Sequence, residues 1–365
     1  MSARLACCAA VFALMALSNA VVPVLDGFAG GAALQGLIFS GYFFGAMLTV
    51  LPAGLASERY GRMRLMRIGI AGSCAAGLAI ALVPSAPVVV AGARVVEGVM
   101  TGLFVSSSLA YVNSRQDQGR LSGLFMASLN GGLLVGLVAT GALAEVTGSQ
   151  TAGVVAFTVL AAASLALVRG GRAGDGSTVV NPLPRLAPVL RNYRWLFYAT
   201  VVMFGAGGAV TGLYPGFSNE DAAVLGGQIA LQNIATIVAI LVVSRLPADP
   251  LRTIRVSALA MAGAVAISFS TPYGFAAIGA AAGVVQISQL AYLAQTGEPQ
   301  GVVVGVFNTA AYAGMALLPV IASLTADSLG YAAAFGLVGL FSISVALTID
   351  RCTQSALPPG LVHNT

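Results

Sequence analysis

"GLASERYGRMR", residues 54–64, gathers Glu58, Arg59, Arg62 and Arg64 into one short stretch, with Gly54 and Gly61 spaced among them. Elsewhere the chain is sparing with charge. It has 17 basic and 12 acidic residues in 365, 8% of the whole, against 58% hydrophobic. An ordinary soluble domain carries about 25% charged residues. So much apolar surface cannot be hidden in a soluble core of this length, because the outside of a compact domain must be something water accepts. The stretch therefore reads as a polar loop between two membrane-buried segments, and the lipid bilayer is the expected surrounding.

Working outward from that loop, the chain divides into apolar runs. A helix needs about 20 mostly apolar residues to cross a bilayer. Twelve runs qualify, over 5–25, 33–56, 65–84, 87–112, 120–146, 150–168, 194–216, 222–244, 252–270, 273–295, 301–326 and 331–349. Lipid offers no partner to a bare backbone amide, so each run must be helical, and the alternation of a membrane β-strand is missing. The first run, with Arg4 before it and "SNA" inside it, has the look of a signal peptide. It continues through "VVPVL", so it is expected to stay in the chain as a span.

The arginines orient these spans. With the N-terminus in the cytoplasm, Arg4, Arg59, Arg62, Arg64, Arg67, Arg115, Arg120, Arg169, Arg172, Arg185, Arg191, Arg194, Arg245, Arg252, Arg255 and Arg351 all fall on one side. The other side has Asp26, Glu145, Glu220, Asp221 and Asp327 instead. This is the positive-inside asymmetry, and it predicts a cell-membrane protein with both termini cytoplasmic. It also accounts for the basic balance without nucleic acid, which is not expected as a partner. Cys7, Cys8, Cys74 and Cys352 have no metal-ligand spacing, and the one histidine, His363, lies near the end. These counts argue against a metalloenzyme or a Cys–His hydrolase, no cofactor is implied, and an enzyme is not expected.

A repeat divides the spans six and six. At an offset of 182 residues, Gly119, Gly123, Phe125, Gly132, Ala144 and Gly148 fall on Gly301, Gly305, Phe307, Gly314, Ala326 and Gly330, and Glu145 falls on Asp327. Small residues at such spacing also serve plain helix packing, yet the shared phase runs from loop to loop. The expected organisation is a six-helix bundle over 1–168, a cytoplasmic linker over 169–193, a second six-helix bundle over 194–350 and a tail over 351–365. Duplicated halves point to a secondary transporter with a central site between them.

With its position fixed, the opening stretch resembles the signature of the major facilitator superfamily: Gly54, Glu58, Arg59, Gly61, Arg62 and Arg64 fall on its glycine, acidic and basic positions. A second match, "RVVEGVMTG" in the fourth span, is similar to the pattern of proton-coupled exporters in that superfamily, through Arg94, Gly98 and Gly102. In the fifth span Gly132, Gly136 and Gly141 follow the exporter glycines, with Leu137 and Thr140 at two other positions of that pattern. The resemblance, which covers residues 5–349, implies the fold of that superfamily: an all-α membrane protein with twelve transmembrane helices in two pseudo-symmetric six-helix bundles. It implies alternating access to a small-molecule substrate, and a monomer. It also implies a cytoplasmic gate of Gly54, Glu58, Arg59, Gly61, Arg62, Arg64 and Asp117. In that gate Glu58 faces the start of the eleventh span near Gly301, and Arg62 pairs with Asp117.

Arg94 and Glu97 are three residues apart on one helical face, about 10 Å into the span at 1.5 Å per residue. Charge inside a membrane is costly and marks a candidate functional site. Either the two neutralise each other for packing, or Glu97 exchanges protons while Arg94 tunes it or holds an anionic group. The resemblance implies that the first, fourth, seventh and tenth spans line the cavity, which adds Asn19, Thr101, Thr200, Gln286 and Gln289 as substrate-cavity residues. Gln35, Tyr42, Asn130, Gln228, Gln232, Asn233 and Asn308 on other spans are secondary candidates. The expectation is proton-coupled efflux of a small organic solute. The alternatives are proton-coupled uptake of a sugar or other polar solute, or a non-transporting sensor or scaffold on the same fold.

Overall fold

In the computed structural model the described residues are 3–113, 118–168, 183–218, 220–246, 249–296 and 300–352. Among them the chain is built of helices. The first span is a helix over Ala3–Asn19, a 3-10 turn over Val22–Val24 and a short helix over Leu25–Phe28. The break falls around Pro23, which has no amide to donate to the preceding turn. The second to sixth spans are Ala32–Tyr60, Arg62–Leu82, Pro87–Asn113, Gln118–Thr147 and Ala152–Leu167. The seventh to twelfth are Arg194–Phe217, Ala222–Val243, Pro250–Ser270, Gly274–Ala294, Gln300–Leu329 and Tyr331–Thr348. Every expected run is a helix, and eleven of them are long and apolar enough to cross a membrane. The sixth, at 16 residues, reaches only about 24 Å against a hydrocarbon thickness of about 30 Å.

Between the sixth and seventh spans lies a helix over Leu183–Asn192, inside the stretch that its glycine, proline and arginine content suggests is a plain linker. Pro184 falls in its first turn, where an amide has no helical partner anyway. Val189 and Tyr193 are buried at its end, and it packs on the seventh and eleventh spans.

The packing repeats. The first span packs on the fifth and sixth, the third on the fourth and sixth, and the second on the fourth. Six spans later, the seventh packs on the eleventh and twelfth, the ninth on the tenth and twelfth, and the eighth on the tenth. The two sets meet along the second and eleventh spans and, symmetrically, along the fifth and eighth. Gly132 brings the fifth span onto the Phe12 carbonyl of the first, and its repeat partner Gly314 brings the eleventh onto the Val201 carbonyl of the seventh. Gly148 and Gly330, also partners in the repeat, follow the fifth and eleventh spans with φ of 65° and 87°. The fold is two pseudo-symmetric six-helix bundles.

Adjacent spans run in opposite directions, so Arg62, Arg194, Arg245, Arg252 and Arg351 lie at one end of the molecule and Asp26, Glu145, Glu220, Asp221 and Asp327 at the other. The bundles are closed together at the acidic end. There Phe39 of the second span lies against Gly208 and Gly212 of the seventh, and Gly226 of the eighth sits on the Leu137 carbonyl of the fifth.

Candidate functional site

The site begins with two glycine pairs. Gly41 and Gly45 on the second span and Gly98 and Gly102 on the fourth let the two backbones meet: Gly98 lies on the Tyr42 carbonyl, Gly45 on the Val95 carbonyl, and Gly102 on Ala46 and Thr49. This close approach lays the Tyr42 ring against the Arg94 guanidinium, 4.8 Å from carbon to centroid, a cation–π contact. One turn on, Arg94 Nη1 donates to Glu97 Oε2 at 2.7 Å, with both side chains 1% exposed. Arg94 is the largest fully buried side chain of the described residues.

The pair is held but not saturated. Arg94 Nε and Glu97 Oε1 are buried without a hydrogen-bond partner. Taking two charges out of water costs several kcal/mol each, recovered only when the remaining donors and acceptors are also satisfied. A pair kept only for packing would gain by satisfying them. Tyr42 faces further polar groups: Ser18 of the first span and Tyr312 of the eleventh lie near its hydroxyl. Phe43 stacks on Tyr312 with centroids 6.3 Å apart. The charged pair thus sits where the two bundles meet.

The other expected cavity residues are placed variously. Thr101 and Ser73 of the third span share a hydrogen bond at 3.1 Å, buried between those helices. Asn19 Nδ2 donates to the Leu133 carbonyl of the fifth span at 3.0 Å. Thr200 is fully buried and donates to Leu196 O of its own helix at 3.0 Å. Gln286 is half-buried, while Gln289 is fully buried with both amide atoms unpartnered. Tyr312 is missing from the sequence-derived set, although the repeat offset aligns it with Asn130, which is in it.

At the arginine-bearing end, Gly54, Glu58 and Arg59 occupy the last two turns of the second span. Gly61 alone separates the second span from the third, at φ 89° and ψ 122°, a region that only glycine enters without strain. The third span starts at Arg62, which is half-exposed, and Arg64 is exposed. Asp117, the expected partner of Arg62, lies outside the described residues.

The sequence model of the family described as Major Facilitator Superfamily matches residues 5–319. No curated protein sequence matches the chain. Among solved structures, the chain is similar to a bacterial homolog of the human lysosomal transporter Spinster in an inward-facing and occupied conformation, with TM-score 0.77, 11% identity and 98% of each chain covered. It is also similar to a point mutant of the nucleoside transporter NupG, with TM-score 0.77, 11% identity, and 96% of this chain and 100% of that one covered. A D-xylose-proton symporter follows at TM-score 0.70 and 12% identity, with 95% and 96% covered.

Proposed function

The chain belongs to the major facilitator superfamily, and from that premise we propose that it exports a small organic solute across the cell membrane in exchange for protons. At the coarser level it is a secondary transporter and not an enzyme. The halves 1–168 and 194–350 rock about a central site, joined by the 169–193 linker, with the arginine-bearing end and both termini in the cytoplasm. The protein acts as a monomer.

The observation that carries this reading is the buried Arg94–Glu97 pair with one unpartnered polar atom on each side chain. In the proposed cycle the unprotonated pair takes the solute from the cytoplasm: the unpartnered Arg94 Nε–H and Glu97 Oε1 offer it one donor and one acceptor, while the Tyr42 ring keeps Arg94 in place. On the outer side a proton takes the solute's place on Glu97 Oε1, and the solute leaves. The ion pair then becomes a weaker hydrogen bond from the Arg94 cation to a neutral acid. Loss of that proton to the cytoplasm restores the pair for the next solute, so proton and solute use the site in turn. Export is favoured by the exporter-like spacing of Arg94, Gly98 and Gly102. At the cytoplasmic end Gly54, Glu58, Arg59, Gly61, Arg62, Arg64 and Asp117 form the gate.

The test is solute flux in proteoliposomes under an imposed pH gradient, with a solute first chosen by thermal stabilisation of the purified protein across a compound panel. Glu97→Gln is expected to abolish gradient-driven flux while leaving solute stabilisation in place. Flux that still follows the gradient in this variant would move the coupling to another residue. A second reading, uptake of a polar solute, rests on Gln289, whose buried amide has neither atom satisfied. The same assay separates the two by the direction in which the proton gradient drives the solute.

A further inference from the structure

Asp327 at the end of the eleventh span reaches across to the other bundle. Its Oδ1 accepts from the Ala32 amide at 2.9 Å and its Oδ2 from the Ala33 amide at 2.9 Å. These are the first two residues of the second span. A helix start leaves its first amides without helical partners and carries partial positive charge. Within its own bundle the second span has no side-chain cap, because Gly31 occupies the position before it. The missing cap is supplied by the opposite half of the molecule.

We propose that Asp327 is a releasable clasp that holds the bundles shut at the acidic end, and that it works in alternation with Glu58 at the other end. The register of the two antiparallel spans supports the pairing. Asp327 meets Ala32, Ser323 lies on Gly36, Tyr312 stacks on Phe43, and Leu51 lies over Gly305. Continued by two turns, that register brings Glu58 level with the start of the eleventh span at Gln300. Each of the two helices therefore has an acidic residue in its final turns, opposite the stretch where the other begins. Rocking that separates one end brings the opposite end together, so the two caps exchange. The clasp is broken when the transporter opens at the acidic end. Glu145 holds the same repeat position as Asp327, but the neighbouring eighth span starts behind Asp221, an acidic residue that would repel a second carboxylate and itself makes no cap bond. The clasp is therefore argued for the second–eleventh seam alone.

This inference rests on the alternating-access reading, and the experiment separates the two. Spin labels at Val146 and Tyr273, exposed at the acidic end of different bundles, and a second pair at Leu5 and Leu246 at the arginine end report opening of each end. Distances are measured on the full chain in nanodiscs, with the four native cysteines replaced. Asp327→Ala is expected to raise the ratio of acidic-end-open to acidic-end-closed molecules about 2- to 30-fold, the effect of losing an N-terminal cap. Asp327→Asn, which keeps one acceptor oxygen, is expected to shift it less. Ala32→Pro deletes one of the two donors from the other bundle at a position where helices tolerate proline, and is expected to shift it in the same direction. Ser328→Ala is the control, since that hydroxyl bonds only within its own helix. If the parent protein moves between both open forms but Asp327→Ala and Ala32→Pro match it, the clasp is wrong and alternating access stands. If the parent protein shows one fixed distance at each end with or without a pH gradient, both fall.

Discussion

A buried ion pair can be structural, functional or both, and Arg94 with Glu97 allows the roles to be separated. Removing one partner of such a pair leaves a lone charge in a dry site, at about 3–5 kcal/mol, whereas replacing both with apolar residues is often neutral. Arg94→Met alone is therefore expected to lower the thermal midpoint in detergent markedly. Arg94→Met combined with Glu97→Leu is expected to recover most of that loss yet carry no gradient-driven flux. A double variant that regains flux as well would reduce the pair to packing. At this scale the sequence reveals the pair, because charge inside an apolar run is unmistakable. It does not reveal which way an uncharged polar residue faces. In water, the apolar stripe of a helix marks its inner side. In a bilayer both the lipid side and the core side are apolar, so the stripe vanishes. Thr101, bonded to Ser73, and Gln289, bonded to nothing, look alike as letters.

Whole helices are legible for the same reason that faces are not: lipid forces each apolar run to satisfy its own amides, so length alone sets the element. All twelve spans follow from that, with ends within a few residues. The helix over Leu183–Asn192 does not, because its prolines read as breakers: Pro184 falls harmlessly in the first turn, but Pro188 stands inside the helix. Closeness between helices is also written in the sequence, as glycine, and the repeat makes it testable. A methyl on Gly132 would strike the Phe12 carbonyl, and one on Gly314 the Val201 carbonyl, while Gly92 has open space around it. Gly132→Ala and Gly314→Ala are each expected to cost about 1–3 kcal/mol through overpacking. Gly92→Ala is expected to be neutral or to gain up to about 1 kcal/mol from the unfolded side. Thermal unfolding of the three variants in one detergent decides it. Unequal losses at Gly132 and Gly314 would argue that the two bundles are not packed alike.

For the molecule as a whole, orientation decides what each end does. The fold alone is nearly symmetric about the membrane plane along its second–eleventh seam, with a carboxylate at each end of the pair. What distinguishes the ends is charge: Arg62, Arg64, Arg194, Arg245 and Arg252 collect at one, and Asp26, Glu220, Asp221 and Asp327 at the other. Basic residues near an anionic cytoplasmic leaflet gain about 1 kcal/mol each, and the sum over an entire end outweighs any single loop. The proposed orientation therefore puts the Gly61 turn inside the cell and the Asp327 clasp outside. Single cysteines at Arg64 and at Tyr273, both exposed, in a background lacking the native four, report it directly. An impermeant maleimide applied to intact cells is expected to label the Tyr273 site at once and the Arg64 site only after permeabilisation. Labelling in the reverse order would invert the transporter, and with it the direction in which a proton gradient acts on Glu97. The clasp would survive as a contact, but it would then guard the cytoplasmic opening.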